Sequence, residues 1–251
     1  MGVVWITALG VGGATMIGAL VGFFIKKIPH RFNDIILGFA AGVMLCAAVF
    51  GLIEPALGKG GITEILIACL GIMAGAWFLS LIDKFIPHLH KMAGETENGT
   101  VDAKQLEKVI LFVFAIAIHN LPEGIAAGVS FGTGNINDAL TVAGGIALQN
   151  IPEGMVIIAP MLAAGMSKSR TLVIALLTGV VEVVGTFIGY FAVGIAGAVL
   201  PFALAFAGGT MLYVISDEMI PETHSHGFEK GATYALLVGF CIMLLLDAFI
   251  G

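Results

Sequence analysis

Eight continuous apolar runs, each close to the length that crosses a bilayer, dominate the chain: Val3 to Ile25, Ile35 to Glu54, Ile65 to Ile82, Val109 to Phe131, Ala139 to Gly165, Leu172 to Gly194, Leu200 to Ile220 and Ala232 to Ile250. A transmembrane helix needs about 20 predominantly apolar residues, because inside hydrocarbon each backbone polar group must find its partner within the protein. Membrane barrels would instead show segments of about ten residues with alternating polarity. The expected fold class is therefore all-α, a polytopic membrane protein with eight transmembrane helices. Composition agrees: 59% of the 251 residues are hydrophobic, only 11% are charged, and 35 are glycine, the residue that lets membrane helices approach closely. Cys46, Cys69 and Cys241 all lie in apolar runs, which excludes a secreted disulfide scaffold. A net charge of -6 with no basic cluster excludes a nucleic-acid partner. The first run has no positive segment before it and is too long for a cleaved signal peptide, so it is counted as a span.

Charge fixes the expected orientation. Ten of the eleven Lys and Arg residues fall in odd-numbered loops: Lys26, Lys27 and Arg31; Lys84, Lys91, Lys104 and Lys108; Lys168 and Arg170; and Lys230. Lys59 is the exception. By the positive-inside rule the odd loops are cytoplasmic and both termini are extracytoplasmic. The chain reads as one transmembrane domain, 1–251, with a polar cytoplasmic loop over 84–108 between spans 3 and 4.

Against this background the ionisable residues in mid-span stand out, since each costs at least ~2.5–3.5 kcal/mol at the bilayer centre on insertion scales. Glu123, Glu153 and Glu182 lie near the middles of spans 4, 5 and 6. Two of them belong to an internal repeat, HNLPEG at 119–124 and QNIPEG at 149–154. On a helix, residues i, i+1 and i+4 share one side, so His119, Asn120 and Glu123 face one space, as do Gln149, Asn150 and Glu153. If spans 4 and 5 form an antiparallel hairpin, His119 lies level with Glu153 and Glu123 level with Gln149. Pro122 and Pro152 each remove a helical N–H at that depth. Imidazole, carboxylate and amide oxygen form the ligand set of a borderline divalent cation such as Zn²⁺, Fe²⁺ or Mn²⁺, and carboxylates on facing helices can bridge two ions.

A second group lies on the side the charges mark as cytoplasmic. His88 and His90 follow span 3, and Asp217, Glu218, Glu222, His224 and His226 end span 7, which makes these seven a candidate exit site. Met44, in mid-span 2, is a candidate soft contact at the entrance, while Glu54, Asp138 and Asp247 lie on the outer side.

At these residues the sequence resembles the ZIP family of divalent metal transporters, in its bacterial GufA-like branch. The likeness rests on the HNLPEG and QNIPEG pair, the eight-span layout and the SDEMIPET stretch. It implies the ZIP-type fold and a binuclear metal centre, with His119, Glu123, Gln149 and Glu153 around one ion. Asn120, Glu123, Asn150, Glu153 and Glu182 would surround the other, with Glu123 and Glu153 bridging. It also implies a homodimer and an elevator-like movement of spans 1, 4, 5 and 6 against spans 2, 3, 7 and 8. Many relatives have His where this chain has Gln149, so a broader substrate range than zinc alone, including Cd²⁺, Fe²⁺ and Mn²⁺, is expected. The expected activity is passage of these ions into the cytoplasm across a bacterial inner membrane, with no organic cofactor. The alternative is an intramembrane zinc hydrolase, in which His119 and the glutamates would hold a metal-activated water. The absence of a G-x-x-x-x-G-K-[ST] pattern argues against ATP hydrolysis.

Overall fold

The computed structural model describes residues 1–24, 29–58, 60–85, 117, 119–163, 165–195 and 199–250. Every regular element among them is helical. We number the helices α1 (Gly2–Phe24), α2 (His30–Ala56), α3 (Ile62–Phe85), α4 (residues 119–129), α5 (Ile136–Val156), α6 (Lys168–Ile195), α7 (Leu200–Thr223) and α8 (Glu229–Ile250). Six of them, α1, α2, α3, α6, α7 and α8, are long and apolar enough to cross a membrane. The other two apolar runs differ from expectation. The first part of the run Val109 to Phe131 lies outside the described residues, as does most of the loop over 84–108 with His88 and His90. The helix α5 is 21 residues long, but Gln149, Asn150 and Glu153 dilute its apolar character. Where a single run to Gly165 was expected, the helix pauses at Ile157 and resumes over Ile158–Ala163. Pro160 has no N–H to offer the carbonyl of Val156.

The α4–α5 hairpin closes through local chemistry. After α4 the chain tightens into a 3₁₀ turn at Ser130–Thr133 and reverses at Gly134, whose φ of 80° suits a residue without a Cβ. Asn135 then caps α5, its Oδ1 accepting the backbone N–H of Asn137 at 3.0 Å. Two helices are interrupted by wider, π-type turns, Ala47–Ile53 in α2 and Ile215–Met219 in α7. Each lies just before a proline, Pro55 or Pro221, that cannot donate to the carbonyl four residues back.

Glycine sorts the helices into two groups. The Cβ of an alanine at Gly12 would lie 2.3 Å from the carbonyl of Gly179, at Gly18 2.0 Å from that of Ile151, and at Gly124 2.2 Å from that of Glu182. Backbone thus touches backbone among α1, α4, α5 and α6. The same holds among the rest: Gly42 and Gly239 join α2 to α8, and Gly75 and Gly209 join α3 to α7. Between the two groups the contacts are made by side chains instead, with Gly51 facing Val142 and Gly145 facing the Met243 thioether. The larger core, which includes Val43, Met44, Leu52, Ile146, Leu204 and Met211, spans this seam.

Candidate metal centre

The twin motifs meet inside the first group. His119, Asn120 and Glu123 come from α4, Gln149 and Asn150 from α5, and Glu182 from α6; all six are buried, with no more than 9% of their surface exposed. Glu153 is half-buried beside them in sequence. The expected cross-helix register holds where it is visible, since Gln149 Nε2 donates to Glu123 Oε1 at 2.8 Å. The final glycine of each motif, to which sequence gave no role, sets the spacing. Gly124 lets α6 approach at the carbonyl of Glu182, and Gly154 lets α1 approach at the carbonyl of Thr15.

The bonds within the site separate it into two neighbourhoods. In one, Gln149 holds Glu123, and the imidazole Nε2 of His119 stands 3.0 Å from Glu218 Oε1. In the other, Glu182 accepts from three donors: Asn120 Nδ2 and Thr15 Oγ1 on Oε1, and Asn150 Nδ2 at 2.6 Å on Oε2. What remains unpaired is informative. Glu123 Oε2, Gln149 Oε1, Asn120 Oδ1 and Asn150 Oδ1 are buried with no hydrogen-bond partner among the described residues. An unpaired buried acceptor costs about 1–3 kcal/mol, and four in one place create a site of concentrated negative potential suited to a cation. Among the described residues no three His, Cys, Asp or Glu side chains form a metal-holding group by themselves.

Of the cytoplasmic set read from sequence, His88 and His90 lie outside the described residues, and the other five make the following contacts. Glu218, in the π-type turn at Ile215–Met219, reaches His119. His224 Nδ1 lies 2.8 Å from the carbonyl of Ile220, and His226 Nδ1 lies 3.0 Å from Asp34 Oδ1. Asp217 is exposed and Glu222 half-buried, with no side-chain bond to either histidine. Met44 is 1% exposed and sits within the main core. Sequence reading missed Thr15, inside the first apolar run, and Asp34, just before the second; both are buried. Glu54, Asp138 and Asp247, from three different helices, line one cavity of about 370 Å³ with Phe50, Gly51 and Pro55.

The sequence matches known proteins. The family described as "ZIP Zinc transporter" matches residues 87–247. The chain belongs to the ZIP family. The zinc transporter GufA of Myxococcus xanthus is 40% identical over 257 residues, covering 100% of both chains. The zinc transporter ZIPB of Bordetella bronchiseptica is 37% identical over 95% of this chain and 78% of its own. The zinc transporter ZIP11 of Homo sapiens is 30% identical over 95% of this chain and 94% of its own. ZIP proteins are transporters, which sets aside the intramembrane hydrolase as the alternative for this chain.

Proposed function

We propose that this ZIP protein carries Zn²⁺, together with Cd²⁺, Fe²⁺ or Mn²⁺, across the membrane into the cytoplasm through the buried site on α4, α5 and α6. The observation that carries the reading is the set of four unpartnered acceptor oxygens from the two motifs, buried beside His119. Mixed oxygen and imidazole donors suit borderline divalent ions. Relatives named as zinc transporters support zinc as the substrate. Two ions would be held side by side, one by His119, Gln149 and the bridging Glu123 and Glu153. The other would share those two glutamates and take Asn120 and Asn150, with the charge of Glu182 behind them. The outer cavity with Glu54, Asp138 and Asp247 supports inward loading, because carboxylates in a concave, low-dielectric wall raise the local cation concentration.

Release would follow an elevator-like movement of α1, α4, α5 and α6 against α2, α3, α7 and α8, with both termini extracytoplasmic. The division of backbone-to-backbone contacts supports these two bodies, since the seam between them is made of side chains that can change rotamer. Family likeness carries the further expectation of a homodimer, and the bacterial relatives that of an inner membrane. The test is zinc accumulation in vesicles reconstituted with the pure protein. Influx above that of empty vesicles is expected, and equal influx would refute the reading.

A further inference from the structure

Thr15 differs from the buried helical threonines that bond within their own helix. Thr178, Thr186, Thr210 and Thr223 each donate to a carbonyl one turn back in their own helix, at 2.7–2.9 Å, the usual use of a helical hydroxyl. Thr15 Oγ1 instead crosses from α1 to α6 and donates to Glu182 Oε1 at 2.6 Å. One turn before it, the carbonyl of Val11 accepts Asn150 Nδ2 at 3.3 Å, so the same face of α1 touches both the carboxylate and the amide. The close crossing is permitted by Gly154, where an added Cβ would lie 2.1 Å from the carbonyl of Thr15.

A carboxylate only accepts hydrogen bonds, and the NH₂ of an asparagine only donates. The amides of Asn120 and Asn150 must therefore turn their nitrogens to Glu182, which directs both Oδ1 atoms away from it. Those are two of the four site oxygens left unpaired. Both oxygens of Glu182 are meanwhile occupied by protein donors. We propose that Glu182 is an anchor that orients the Asn120 and Asn150 oxygens toward the cation, and that Thr15 is the positioning residue fixing that anchor from α1. Thr15 acts through Glu182 and touches no ion. The claim rests on the transport-site reading above and assigns a role to a residue outside both motifs.

Equilibrium zinc binding by purified protein, measured calorimetrically, tests it. Thr15→Val, which keeps the shape and removes the donor, is expected to weaken one zinc-binding step about tenfold, the scale of one hydrogen bond to a charged group. Thr15→Ser, which keeps the donor, is expected to recover most of the loss. Thr15→Ala serves the same comparison if the valine variant does not accumulate in the membrane. In a Glu182→Gln background the valine change is expected to add less than about twofold, because contacting residues that act through one another are non-additive. Wild-type affinity in both donor-free variants would overturn the proposal. So would an equal loss in the serine variant, or a full further tenfold loss in the Glu182→Gln background. Absence of zinc binding by the wild-type protein would instead overturn the transport-site reading itself.

Discussion

Gln149 spends its nitrogen on Glu123 and leaves its oxygen buried and unpartnered. The neighbourhood of His119 therefore offers one imidazole and otherwise oxygen. Replacing Gln149 with His supplies a second nitrogen donor, which favours Zn²⁺ over Mn²⁺. Competition uptake of Zn²⁺, Cd²⁺ and Mn²⁺ into vesicles is expected to move toward zinc in Gln149→His, with slower turnover because a tighter site releases less readily. An unchanged order of preference would mean that residue 149 does not face the ion. At this scale the sequence was most legible within the repeat, since helical spacing alone aligned His119, Asn120 and Glu123 with Gln149, Asn150 and Glu153. It was least legible where partners are distant along the chain. Glu218 meets His119 across 99 residues from within a π-type turn, and no local periodicity announces such a turn. Thr15 in α1 reads as one more small residue in an apolar run until Glu182 is seen against it.

Helix contacts place the site as firmly as the ligand residues do. At Gly154 an alanine Cβ would strike the carbonyl of Thr15, whereas at Gly144, nearly three turns earlier in α5, it would meet nothing within 4 Å. Gly154→Ala is expected to cost about 1–3 kcal/mol through forced separation of α1 and α5, and Gly144→Ala to stay within about 0.5 kcal/mol. Thermal unfolding in detergent checks both, and equal midpoints would remove close packing as the reason for the motif's last residue. The apolar runs gave the helices their approximate extents. The breaks within them did not show, because a proline is read in sequence as an end or a kink, while here Pro55 and Pro221 are absorbed by π-type turns and α7 continues as one span to Thr223. The partners of His224 and His226 did not show either: after α7 one ring meets the carbonyl of Ile220 and the other Asp34.

At the scale of the molecule, the proposed elevator-like movement requires the two helix groups to shift along the contacts between them, such as those of Gly51 with Val142 and Gly145 with Met243. The seam can be pinned. An ideal Cβ at Gly51 lies 3.7 Å from that of Val142, within the range a disulfide requires. Gly51→Cys with Val142→Cys is expected to stop zinc uptake when oxidised and to recover it on reduction; unaltered uptake by the verified crosslinked protein would rule out relative movement there. The central claim, that the ions pass through the site shared by the two motifs, is tested most directly by zinc uptake into vesicles holding Glu123→Ala or Glu153→Ala beside wild type at matched, folded protein. The account predicts wild-type influx and background influx in both variants, since each glutamate is placed to serve both ions. Wild-type rates in either variant would contradict it.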